Sequence, residues 1–177
     1  MKEQVEELAQ DLPVWISDVN TLDEAYDMIK NIGSMTGKQE EAASLLGRIK
    51  RAFAQLAIRV SNKRTAYLIW KDPYMTVGGD TFINDMLSTA GFYNIFQDRQ
   101  RYPEITIDDL NGANCELLLL SSEPYPFKQK HIDNLQDQLP GTKILLVDGE
   151  AFSWYGSRLL HAAAYFQGLQ KEIDAIL

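Results

Sequence analysis

Aromatic residues beside proline or glycine recur in four stretches of the chain, and the chemistry they suit is recognition of a large flat or greasy ligand. The first is Trp70-Lys71-Asp72-Pro73-Tyr74-Met75-Thr76-Val77-Gly78-Gly79-Asp80. The second contains Tyr102-Pro103-Glu104, and the third is Ser121-Ser122-Glu123-Pro124-Tyr125-Pro126-Phe127. The fourth runs from Asp148 through Gly149, Glu150, Trp154 and Tyr155 to Arg158. Rings supply contact area at little entropic cost, and Arg158 has the charge to fix an anionic group of a chelate or macrocycle. The bland alternative is that these rings only pack on loops and helix ends. Four such loops together weigh against coincidence.

Residue types that make or break bonds are not arranged for it. His131 and His161 lie thirty positions apart without i,i+4 partners, which suits surface or packing histidines better than metal ligands. Ser121, Ser122 and Ser153 have no nearby histidine and no G-x-S-x-G elbow. Val77-Gly78-Gly79-Asp80 lacks both glycine-rich phosphate patterns and reads as a tight turn. Cys115, the only cysteine, fits a small core residue and leaves the redox compartment open. Asp108 and Asp109 read as first-turn carboxylates of a short helix or as an exposed acidic knob for a partner. No catalytic residue and no protein-bound metal is expected.

The loops need a scaffold, and the periodicity supplies one. Residues 12–17 read as a short buried strand, followed by a helix whose Thr21 and Glu24 have capping-box spacing and which ends at Gly37. Residues 38–62 carry the longest helical pattern, with Ala42, Leu45, Leu46, Ile49, Phe53, Leu56 and Val60 on one face. About 25 residues at 1.5 Å each would give a rod of roughly 37 Å. From there the chain alternates. Strands are expected at 65–70, 117–121 and 143–148, and helices at 81–90, 127–139 and 157–174, the last burying Leu160, Ala163, Ala164 and Leu169. Aliphatic runs apolar on both faces imply an α/β fold, a Rossmann-like parallel sheet flanked by helices, and such sheets bind ligands beyond the carboxyl ends of their strands.

Composition bounds the partners. The chain has 177 residues, 45% apolar and 24% charged, and a net charge of −8. Residues 65–177 hold eight basic against fifteen acidic side chains, so this part carries −7 of the −8. Without a basic tract, nucleic acid is a poor partner, whereas an acidic face suits a basic protein. The N-terminus lacks the apolar stretch of a secretory signal, and the aliphatic run 117–120 is far short of a membrane span.

Residues 64–82 (R-T-A-Y-L-I-W-K-D-P-Y-M-T-V-G-G-D-T-F), Asn94-Ile95-Phe96, the run from Tyr102 to Leu110, and Ser153-Trp154-Tyr155-Gly156-Ser157-Arg158 together resemble one family. It is the periplasmic substrate-binding proteins of ABC importers for cobalamin and iron-siderophores, in the subgroup whose two lobes are joined by one backbone helix. The resemblance implies a remnant of an N-terminal α/β lobe at 1–37, the backbone helix at 38–62 and a C-terminal α/β lobe at 63–177. It implies a ligand (cobalamin, haem or a ferric siderophore) held between the lobes by Trp70, Tyr74, Tyr102, Glu150, Trp154 and Arg158, with no catalytic step. Cobalamin binders carry tryptophan where this chain has Tyr102. Docking to the permease falls on Asp108, shorter than the usual glutamate, with Asp109 or Glu104 as substitutes. Periplasmic or lipid-anchored placement follows from the same resemblance. Two full lobes need roughly 250 residues, so the front of the first lobe is expected to be missing, Val14, Trp15 and Ile16 to be uncovered, and self-association to be open. Two alternatives remain. One is an α/β enzyme placing Asp148, Glu150 and Arg158 around a phosphorylated small molecule; the other is a truncated interaction module that binds no ligand.

Overall fold

Residues 117–121 read Leu-Leu-Leu-Leu-Ser, and all five are buried. A strand with no polar face needs a neighbour on each edge and cover on each side. A computed structural model, which describes residues 2–58 and 63–176, provides both. The helices are α1 (Lys2–Asp11), α2 (Leu22–Thr36), α3 (Gln39–Ala54), α4 (Phe82–Thr89), α5 (Ile107–Gly112), α6 (Gln129–Gln136), α7 (Gly149–Ser153) and α8 (Leu159–Ile176). The strands are β1 (Arg64–Leu68), β2 (Tyr74–Met75), β3 (Tyr93–Asn94), β4 (Glu104–Ile105), β5 (Leu117–Ser121) and β6 (Lys143–Val147). The main sheet has the order β3-β1-β5-β6 and every pairing in it is parallel. This is the α/β fold expected from the aliphatic runs.

Alternation along the strands divides the core in two. Tyr67, Leu117, Leu119 and Val147 face α2, α3, α4, α7 and α8, in a cluster that runs from Val19 and Ile29 to Phe166 and Ile173. Ala66, Leu68, Leu118, Leu120 and Ile144 face the other way, onto Phe96, Leu110, Leu135 and Leu139. At the centre of the first cluster Phe152 touches Tyr67 and Phe166, with ring centroids 5.2 Å and 4.8 Å away.

Local signals at helix ends hold. The Thr21 side chain accepts from the Glu24 N–H while the Glu24 side chain accepts from the Thr21 N–H, and Gly37 closes α2 at φ 70°. Thr81 caps α4.

Three expected elements differ. Residues 12–17 form no strand, because neither edge of the sheet pairs with them. Val14, Trp15 and Ile16 stand 42%, 43% and 72% exposed, as expected of an uncovered apolar face. The helix expected over 38–62 ends at Ala54, a rod of about 24 Å. Leu56 and Ile58 both pack on the core while Ala57 between them is exposed, an alternation of extended chain that a continuing helix could not satisfy. Residues 59–62 lie outside the described residues. In α8, Leu159, Ala162, Ala163, Phe166, Leu169 and Ile173 form the buried face, which leaves Leu160 half-buried and Ala164 exposed. Helix α1 was not anticipated; none of its residues is buried.

Phe152→Ala removes the shared neighbour of the Tyr67 and Phe166 rings in the first core. It is expected to lower stability by about 3–5 kcal/mol, read as a lower urea midpoint with an unchanged m-value.

Candidate functional site

Parallel β1, β5 and β6 send the chain out at one edge of the sheet, and the loops that leave there are stitched to one another. Tyr125 donates its N–H to Ile69 O at 3.3 Å, and its ring meets Trp70 edge-on at 5.7 Å. Gly149 donates to Ser122 Oγ at 2.9 Å, joining the third loop to the fourth. Tyr155 packs edge-on against Phe82 at the start of α4, 5.3 Å between centroids. The second loop is bound to the first through the antiparallel β2–β4 ladder and through Thr76 N–H to Pro103 O at 3.0 Å and Gly78 N–H to Arg101 O at 2.7 Å. The four aromatic loops are therefore one continuous rim.

Trp70, Tyr102 and Trp154 present their rings to solvent, 40%, 39% and 53% exposed. Tyr102 also carries the Arg101 guanidinium over its ring at 5.8 Å. Tyr74 is placed differently. It is half-buried opposite Ile105 and packs on the second core, and burial raises its hydroxyl pKa above the ordinary tyrosine value.

Glu150 and Arg158 are brought together, with Arg158 Nε 3.1 Å from Glu150 Oε2. Arg158 Nη2 also bonds Asp148 Oδ2, while Asp148 Oδ1 accepts the Glu150 N–H at 3.0 Å and starts α7. The arginine, whose charge could fix an anionic group, is held between two carboxylates. Sequence reasoning gave Glu123 no role, yet its Oε1 accepts from Trp154 Nε1 at 2.6 Å and from Ser153 Oγ at 2.7 Å. No spacing rule links a glutamate to an indole 31 positions away. The third-loop composition was the only available signal.

Other candidates fall to structural roles. Cys115 is buried, which pushes its thiol pKa up to about 11. A Cβ on Gly78 or Gly79 would strike the carbonyls of Arg99 and Gln97, so that turn is filled by backbone and offers no amide cradle. His131 is 6% exposed; its Nδ1 accepts the Lys128 N–H at 2.8 Å and its Nε2 lies 3.3 Å from the Tyr125 hydroxyl. Among the described residues no group of three His, Cys, Asp or Glu side chains is arranged to hold a metal ion.

The acidic candidates lie on β4 and at the start of α5. Asp109 completes a capping box with Thr106 and pairs with Arg99 at 3.0 Å; the Thr106 backbone and hydroxyl bonds, then Arg99, hold its carboxyl below the usual aspartate range. Asp108 is exposed and, with Asp98, Arg99 and Thr106, lines a groove of about 590 Å³. Glu104 is exposed on β4.

A family profile described as "Periplasmic binding protein" matches residues 1–143. No curated protein matches the chain. Among solved structures, a possible iron-binding (periplasmic solute-binding) protein from Staphylococcus epidermidis is 21% identical with a TM-score of 0.74, over 97% of this chain and 70% of that one. The periplasmic vitamin B12 binding protein of Vibrio cholerae is 17% identical with a TM-score of 0.75, over 98% of this chain and 70% of that one. The periplasmic heme binding protein of Vibrio cholerae is 18% identical with a TM-score of 0.76, over 96% of this chain and 72% of that one. At these identities the likeness establishes the shared fold.

Desolvation first, then Lys130, Lys71 and Lys128, lower the His131 pKa from its ordinary 6.5. The unfolded chain then binds a proton that the folded chain resists, so stability is full above pH 6.5 and declines as pH falls below it. Urea unfolding of wild type between pH 7.5 and 5 should show this decline, and His131→Gln should flatten it.

Proposed function

We propose that this chain, which belongs to the periplasmic binding protein family, is the solute-binding component of an ABC importer that takes cobalamin or a ferric-siderophore-type chelate on its loop rim. The observation that carries this reading is the set of exposed rings of Trp70, Tyr102 and Trp154 on loops tied into one rim. Broad, rigid aromatic surface recognises a flat or apolar ligand face, and the few polar groups set orientation. The solved neighbours named for vitamin B12, heme and iron support this ligand class. Charge refines it. Arg158 is already paired with Asp148 and Glu150, and Glu123 adds a further carboxylate beside Trp154. That balance favours an uncharged corrinoid or a neutral chelate over haem, whose propionates are anionic.

Delivery to the permease is assigned to the acidic groove. Asp109 is engaged by Thr106 and Arg99, whereas Asp108 is exposed in the groove beside Asp98, and Glu104, exposed on β4, is a weaker candidate. An extracytoplasmic location follows from the family, and no helix among the described residues is long and apolar enough to cross a membrane. Self-association over Val14, Trp15 and Ile16 is the accompanying proposal, since their exposed apolar surface favours a partner. The phosphorylated-substrate enzyme gains no support, because Arg158 is occupied and the Gly78-Gly79 turn is filled.

Titration with cyanocobalamin, haemin and ferrichrome, followed by tryptophan fluorescence, should show quenching by at least one, strongest for the uncharged ligands. Trp154→Ala should weaken that binding roughly tenfold or more; silence with all three probes sinks the reading. Asp108→Arg should weaken capture by the permease in detergent while leaving probe affinity unchanged, and an equal loss of both would count against the docking role.

A further inference from the structure

Trp154 stands with much of its indole in solvent, where packing alone selects no single rotamer. Trp70 and Tyr155 are steadied by the rings of Tyr125 and Phe82. Trp154 is steadied by an acid. Its Nε1–H donates to Glu123 Oε1 at 2.6 Å, and the same oxygen accepts at 2.7 Å from the Ser153 hydroxyl, which shares its proton with Gly149 O at 2.8 Å. Bonds to an ionised acceptor are shorter and stronger than neutral ones.

Glu123 is itself held from behind. Its N–H donates to Ser121 Oγ at 3.2 Å, the Ser121 hydroxyl donates to Glu123 O, and the buried Tyr67 hydroxyl donates to Ser121 Oγ at 3.0 Å. Gly149 approaches so closely that a Cβ there would meet the Ser121 hydroxyl and would lie 2.6 Å from Glu123 Cγ. The backbone and Cγ of Glu123 are thus held between the ends of β5 and β6.

We propose that Glu123 is the positioning residue of the rim: anchored after β5, it fixes the plane of the Trp154 indole after β6 before any ligand arrives. The consequence for affinity rests on the binding role proposed above; the consequence for the ring does not. An ordered side chain spares a complex the entropy of immobilising it, which is worth roughly threefold to tenfold in affinity.

Proton–nitrogen spectra of the three indoles, assigned with Trp154→Phe, test this. The Trp154 indole N–H should exchange slowly with solvent in the native chain. In Glu123→Ala it should shift and exchange faster, with the Trp15 and Trp70 signals unmoved, and Glu123→Gln, whose amide oxygen still accepts, should restore it. For whichever of cyanocobalamin, haemin and ferrichrome wild type binds, Glu123→Ala should bind roughly threefold to tenfold more weakly and Glu123→Gln about as well as wild type. A fast-exchanging Trp154 indole in the native chain overturns the proposal without any variant, as does an unchanged indole in Glu123→Ala. A freed indole with full affinity overturns its consequence for binding. If wild type binds none of the probes, the binding role fails, and the indole spectra still decide for or against Glu123.

Discussion

Hydrogen bonding of Leu117–Ser121 to a parallel neighbour on each side is the constraint from which the rest follows. Parallel pairing obliges each connection to cross back over the sheet, which puts helices on both faces and dictates a strand without a polar side. It also sends β1, β5 and β6 out of the sheet at the same edge, so that loops distant in sequence become neighbours. The rim is a by-product of strand direction. Residues as far apart as Trp70, Glu123 and Trp154 share it because three strands point the same way.

On that rim, aromatic and charged residues divide the work. The exposed rings offer area, while the carboxylates of Glu123, Asp148 and Glu150 are spent on neighbours within the loops. Groups that look like ligand anchors when listed one by one turn out to be partners of each other, as the Asp148–Arg158–Glu150 cluster illustrates. Internal pairing holds long side chains in place near solvent, where isolated ion pairs contribute little to stability. Its value lies in orientation.

Much of this was legible in the residues, and the boundary between legible and hidden is physical. Thr21 with Glu24, Gly37 and Thr81 act within one turn of chain, and the structure uses them as their spacing implies. Strand 117–121 was readable because burial on both faces erases alternation, and 143–147 from its aliphatic run, although as an edge strand it leaves Leu146 exposed. The failures concern features set by distant partners. Val14 to Ile16 have strand-forming side chains but no edge to pair with. The end of α3 at Ala54 depends on where the core receives Leu56 and Ile58. The pairing of Arg158 with Asp148 went unread because the carboxylate lies ten positions back across a turn and a short helix. Glu123 went unnoticed because its partner is on another loop. The composition of the aromatic loops could be read in sequence, whereas the half-burial of Tyr74 and the bond from Glu123 to Trp154 depend on partners that only the fold supplies.

The filled turn at Gly78-Gly79 has a mechanical meaning. Backbone there lies directly against residues 97–101, Asp80 accepts the Arg101 N–H, and the Asn94 side-chain amide donates to Val77 O at 2.9 Å. With the β2–β4 ladder beside it, this welds two of the four loops into a single strap. Such a strap has little freedom to bend, so the backbone contour of this edge is that of a die rather than a glove.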